Sequence, residues 1–240
     1  MATLDHSSLK HWLDKGWKTA ESTEHVLGGL QGRPVGQFTL VVLLGPKNRF
    51  GATYFQIFLR NSNGETSDQP VILGLHSSGL YPSYNWIEII SFSPHVTFRG
   101  GDGLAQQLFQ YLADLIPPGG HMMIEYDSPE QEETTLSLAL GMPPASTPLG
   151  YLLFSIGCGA GFKDWHFAEG GSEGPRKLQG YKALNMEYAQ LRAKELVQDL
   201  RSFLATPLQK RNPELEDGAR RRALSILEKL QSQDQNLARA

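Results

Sequence analysis

The chain carries a single cysteine, Cys158, in 240 residues. One cysteine excludes an intrachain disulfide and any cysteine-based zinc cage. Its apolar, Gly-rich surroundings read as those of a buried, inert thiol. No apolar run reaches the ~18 residues needed to span a bilayer, so no membrane partner is expected. Basic excess is absent too: the net charge is −3 and the pI near 6.2. That leaves no electrostatic case for nucleic acid. The one basic cluster, Arg220-Arg221-Arg222, lies among acids. Met1 to Lys10 lacks the basic-then-apolar layout of a secretory signal, which sets the expectation of a cytoplasmic protein. Repeats and low-complexity tracts are missing. So is a nucleophile-elbow Gly-x-Ser-x-Gly, which removes the commonest serine-hydrolase signature.

What is present describes an ordinary globule, 40% hydrophobic and 20% charged. Leu4 to Trp17 has helical spacing, with Leu9, Trp12, Leu13 and Trp17 near one face. Gly28 to Gly36 reads as a link. Strand signals follow at Gln37–Leu44, Phe50–Leu59, Val71–Leu75 and Asn85–Phe92. Within Phe50–Leu59 the alternation sets Tyr54, Gln56 and Phe58 against Phe55, Ile57 and Leu59. Leu104 to Ile116 predicts a helix stopped by Pro117-Pro118-Gly119-Gly120. A strand is expected at His121–Tyr126 and a helix at Pro129–Leu140 with Gly141 as its C-cap. Further strands are expected at Leu149–Ser155 and Trp165–Phe167. That order predicts an α+β (α/β) domain over residues 1–180 with a mostly antiparallel sheet flanked by helices. Residues 181–240 read as a C-terminal helical appendage, with apolar stripes along Leu184–Leu204 and Leu215–Leu230. Such stripes must cover the domain or pair with a second copy. A homodimer is the expectation, with intrachain packing as the alternative.

The most informative stretch runs from Ser93 to Leu108. A turn with Arg99, Gly100, Gly101, Asp102 and Gly103 opens directly into the helix at Leu104. Unpaired N–H groups at a helix start, together with the helix dipole, favour phosphate. Glycines let the backbone approach an anion, and Arg99 adds a charged fork. The plain alternative is a loop with Asp102 or Thr97 as helix N-cap. Spacing excludes a nucleotide P-loop, because no Lys-Ser/Thr follows the last glycine, and it does not fit the dinucleotide fingerprint. Farther on, Lys163-Asp164-Trp165-His166 and Glu169 to Lys177 form the densest group of functional side chains. His166, Glu169 and Glu173 match no ligand spacing, so no metal is expected. Arg176 and Lys177 suit a substrate carboxylate, or the stretch is a salt-bridged surface hairpin.

The element order and the run Arg99-Gly100-Gly101-Asp102-Gly103-Leu104-Ala105-Gln106-Gln107-Leu108 resemble the GNAT superfamily of acyl-coenzyme-A-dependent acyltransferases. That family's loop reads Arg-Gly-x-Gly-Ile-Gly/Ala-x-x-Leu, and the match here needs one residue added inside the loop. A second resemblance covers Gly120 to about Lys182, carried by Gly141 to Gly150, Lys163 to Gly170 and Glu173 to Leu178. These segments are similar to an uncharacterised prokaryotic domain-of-unknown-function family (1122), grouped with acetyltransferase-like folds. The resemblance implies acetyl-CoA or another acyl-CoA as cofactor, with pyrophosphate at Arg99, Gly100, Gly101, Gly103, Leu104 and Ala105. It implies transfer to an amine of unknown identity. Glu88, in an apolar strand, is then the candidate base, or else an outward-facing polar residue. Tyr151 is the candidate acid, or else a core aromatic. Glu125, Trp165, His166 and Arg176 are candidate substrate contacts, whereas Asp127 reads as a helix cap. A non-catalytic protein of the same fold is the alternative from the same residues.

Overall fold

The computed structural model describes residues 6–20, 26–45, 53–67, 69–76, 86–91, 103–125, 132–157, 177–207 and 213–237. Two compact units divide the chain, Met1–Glu125 and Tyr126–Ala240.

In the first unit a mostly antiparallel sheet grows from β-branched and aromatic runs. Its strands are β1 (Lys18–Thr19), β2 (Pro34–Val35), β3 (Phe38–Leu44), β4 (Thr53–Arg60), β5 (Val71–His76), β6 (Trp86–Ser91) and β7 (His121–Glu125). The order is β1-β3-β4-β5-β6-β7, with β2 also on β3. All these pairs are antiparallel except β6–β7, which is parallel and joined through helix α2 (Leu104–Leu115). Register places Leu40, Val42, Phe55, Ile57, Leu73, Leu75, Ile87, Ile89, Met122 and Ile124 on one face. Every one of them is buried. The opposite face is capped over β3 and β4 by helix α1 (His6–Asp14) and the segment after it. Leu9, Trp12 and Trp17 pack there on Val41, Leu43 and Phe58. This lid explains why β4 is buried on both faces from Phe55 to Leu59, where alternation alone suggests one wet face. Over β5 to β7 the same face carries half-buried residues instead.

The turns follow local chemistry. Asn61 Oδ1 accepts from the N–H groups of Asn63 and Glu65, both at 3.0 Å, and Gly64 takes φ +84°. The link before β3 is more ordered than its Gly/Pro content implies. It forms a 3₁₀ turn, Val26–Leu30, and then β2.

The second unit is helical apart from β8 (Lys177–Tyr181), an unexpected strand. Helix α3 (Glu132–Ala139) ends as predicted at Gly141, φ +80°. The N–H groups of Gly141 and Met142 bond to the Leu138 and Ser137 carbonyls, closing a Schellman motif. Leu149–Ser155, expected as a strand, is instead helix α4 (Pro148–Ser155). Thr147 caps it by accepting from Gly150 N–H at 3.2 Å, and Pro148 fills its first turn. An unbroken apolar run has no period to separate strand from helix, so the cap decides. Helices α5 (Met186–Ala205) and α6 (Pro213–Leu237) realise the two C-terminal stripes. Leu196, Leu200, Ala219, Ala223, Ile226 and Leu230 close on Met142 and Ala145 of the same chain. Arg222 pairs with Glu133 of α3. The expected strand Trp165–Phe167 lies outside the described residues.

Candidate functional site

The functional side chains of the first unit gather where β5 ends and β6 and β7 begin. In the β5–β6–β7 register His76, Trp86 and His121 stand in one row. Their rings stack: His76 to Trp86 at 4.1 Å between centroids, Trp86 to His121 at 5.0 Å. One step along β6, Glu88 stands opposite Gly74 of β5 and Met123 of β7. His76 Nε2 lies 3.0 Å from Glu88 Oε2, and the two side chains are only 20% and 13% exposed. An ionised carboxylate offers acceptors only, so when Glu88 is ionised the proton of this bond sits on Nε2. Burial first, and then the neighbouring His76, hold the His121 imidazole below its ordinary pKa. Tyr54 shares this face opposite Gly74, and Gln56 lies one step farther along β4. Gln56 is buried with its Oε1 unpartnered.

Glu88 therefore does not face solvent as the alternation allowed. It is a half-buried carboxylate held by a histidine. Sequence reasoning missed His76, Trp86, His121 and Gly74. Each sits at or near a strand end, and only the pairing register makes them neighbours.

Helix α2 follows β6 in the chain and precedes β7. Gly103 is its N-cap, in the left-handed region at φ +65°, with no side chain capping it. Asp102 and Thr97, the expected capping side chains, lie outside the described residues; a glycine at the cap position reaches this backbone conformation without Cβ strain. Leu104 is buried and Ala105 half-buried. Helix α2 is tied to the β2–β3 turn. Gln107 Oε1 accepts from Gly36 N–H at 3.0 Å, and Tyr111 Oη donates to the Pro34 carbonyl at 2.8 Å. A Cβ on Gly36 would lie 2.3 Å from Leu104 Cδ2, so that glycine sets how closely helix and turn approach. Strand β6 carries a bulge at Ile90: Leu73 pairs with Ile89 and Ile72 with Ser91.

The other expected residues are placed as follows. Arg99, Gly100, Gly101, Trp165, His166 and Arg176 lie outside the described residues, as does the Glu125 side chain at the end of β7. Tyr151, expected on a strand, lies on α4. Its ring stacks on Phe154 at 6.2 Å and packs against the α5–α6 cluster. Burial pushes its phenol pKa up. Among the described residues no group of His, Cys, Asp and Glu can hold a metal. No described helix is long and apolar enough to cross a membrane.

Fold and site together define a mixed α+β protein whose mostly antiparallel sheet contains a parallel strand–helix–strand unit. A family described as "Protein of unknown function (DUF1122)" matches residues 36–207, and the chain belongs to it. A solved structure, a protein of unknown function, AQ1966, from Aquifex aeolicus VF5, is similar at a TM-score of 0.62 and 22% identity. The likeness covers 86% of this chain and 96% of that one, and it shows the fold. No curated protein matches.

Proposed function

We propose that this protein is an acyl-coenzyme-A-dependent N-acyltransferase with a GNAT-like fold. One observation carries the reading. The parallel β6–α2–β7 unit has as its crossover a glycine-capped helix that follows the carboxyl end of β6 in the chain. In a parallel unit the strand ends and the following helix N-terminus gather at one edge, where anions bind. The pyrophosphate of acetyl-CoA, or of another acyl-CoA, is held there by Arg99, Gly100, Gly101 and the N–H groups of Gly103, Leu104 and Ala105. The bulge at Ile90 supports the reading, because it disturbs the β5–β6 ladder at that same end.

Glu88 is the base. The amine nitrogen attacks the thioester carbonyl and its proton passes to the carboxylate. The N–C bond forms, the C–S bond breaks with its electron pair on sulfur, the thiolate takes a proton from solvent, and Glu88 returns its proton to solvent. A positioned base contributes roughly 10²–10⁴-fold to such a step.

Isothermal titration with acetyl-CoA tests the reading. Binding is expected, and Arg99→Ala should weaken it by about 1–3 kcal/mol through a lost charge-assisted contact. No binding at millimolar ligand by folded protein overturns it and leaves a non-catalytic protein of this fold. We further propose a homodimer, supported by Leu184, Met186, Leu191 and Leu224, which stay exposed on the C-terminal segments.

A further inference from the structure

The Glu88–His76 contact depends on a missing side chain. Gly74 stands between the two, opposite Glu88 across the ladder and two residues before His76 on β5. A Cβ at Gly74 would lie 2.8 Å from His76 Nε2 and 3.7 Å from Glu88 Oε2. The first distance is too short for any side chain, so the imidazole occupies the space that only a glycine leaves. From there it reaches back along its own strand to the carboxylate. Its ring is also held from the side, tilted 31° against the Trp86 indole at 4.1 Å. Trp86 is itself backed by His121 at 5.0 Å. The titratable groups on this face come from every strand of the region: Tyr54 on β4, His76 on β5, Glu88 on β6 and His121 on β7. Among the described residues no Lys or Arg of β5, β6 or β7 stands beside the pair.

We propose that His76 is the positioning residue of Glu88, seated by Gly74 and Trp86, and that it sets the direction in which the carboxylate meets an amine. The amine, and only the amine, rests on the acyltransfer reading. Physically the role is plain. A glutamate on an open strand face samples several rotamers. A donor fixed on two sides and bonded to Oε2 selects one of them, at no cost in charge when the imidazole is neutral. Misplacing a reacting group by about 1 Å costs about 10²-fold in rate.

Nitrogen NMR of the full chain with ¹⁵N-labelled histidine is the first test, with the His76 signals identified by their loss in His76→Ala. At a pH high enough for the imidazole to be neutral, wild type should show one tautomer, protonated at Nε2. Glu88→Ala and Gly74→Ala should each convert it to a mixture. A mixed tautomer in wild type, or one unchanged by Glu88→Ala, overturns the proposal. Should Gly74→Ala fail to fold, the Glu88→Ala spectrum decides alone. The second test measures thiol release from acetyl-CoA with ethylamine as the acceptor. His76→Ala should lower kcat about 10²-fold and leave the KM for acetyl-CoA unchanged. An unchanged kcat overturns the positioning role. A wild type that releases no thiol but shows the single tautomer overturns the acyltransfer reading, while the spectrum supports the pairing.

Discussion

A glycine opposite a glutamate and a glycine at the head of a helix do different work from other glycines in this chain. Gly150, inside α4, is the strictest: a Cβ there would lie 1.8 Å from the Pro144 carbonyl oxygen. Backbone cannot swing aside as a side chain can, so Gly150→Ala should cost about 3 kcal/mol, the upper part of the overpacking range. Gly157 has φ +84° and open space around its Cβ position. Gly157→Ala pays only the left-handed strain, about 1 kcal/mol. Urea unfolding of the two variants should rank them in that order, and equal midpoints would refute the steric account. His121 gives a pH dependence. Its folded pKa lies below the ordinary value of 6.5, so the unfolded chain binds the extra proton first. Its contribution is complete above pH 6.5 and fades as pH falls through the folded pKa. Thermal melts from pH 8 down to 5 should show that loss, and His121→Gln should reduce its slope. A parallel slope in the variant would show that other groups carry it.

Helix α2 is the element on which the proposed cofactor site depends, and its anchoring is local. Gly36 takes φ +58°, donates its N–H to Gln107 and leaves room for Leu104. Gly36→Ala adds backbone strain and a clash with a flexible Leu end, for about 1–3 kcal/mol. Because it pushes on the first turn of α2, it should also weaken acetyl-CoA in the same titration that tests Arg99→Ala. Stability loss with unchanged binding would separate the anchor from the site. Helix α4 depends on its cap in the same way. Thr147 is fully buried and holds Gly150 N–H, so Thr147→Val should cost about 1 kcal/mol in urea unfolding. A neutral substitution would mean that Pro148 and the apolar packing suffice.

At the scale of the whole chain, the first unit supplies a sheet with the Glu88–His76 pair and the second a helical cluster. The cluster's centre is Leu200, fully buried among α5, α6 and the Met142–Ala145 segment. Leu200→Ala should cost about 2–5 kcal/mol, the usual range for deleting a core leucine. The stripes that suggested an exposed interface are thus largely covered within the chain, and any dimer on these helices must use the apolar residues that stay exposed. Leu191 and Leu224 are the exposed pair to test. Light scattering at tens of micromolar should report a dimer, and Leu191→Asp with Leu224→Asp should shift it to a monomer. A monomeric wild type would end the dimer proposal.

What the sequence determines by itself is local. Periodicity located α2, α5 and the strands β3 to β7 within a few residues, because each carries its own apolar pattern, and it found α6, which runs past its apolar stripe to Leu237. Gly141 announced the end of α3, and Asn61 to Gly64 announced a turn, because caps and turns are short-range chemistry. Glu88 was legible as a carboxylate in an apolar strand. Its partner was not. His76 and His121 are far apart in the chain, and only the antiparallel β5–β6 and parallel β6–β7 registers set them beside Trp86 and Glu88. The same holds for Gly74, which reads as an ordinary strand glycine until the ladder places Glu88 opposite it. Tertiary structure also decided which faces stay half-buried, since Trp12 and Trp17 cover β3 and β4 from outside the sheet. Register and burial are sums over distant segments, and no local pattern encodes them.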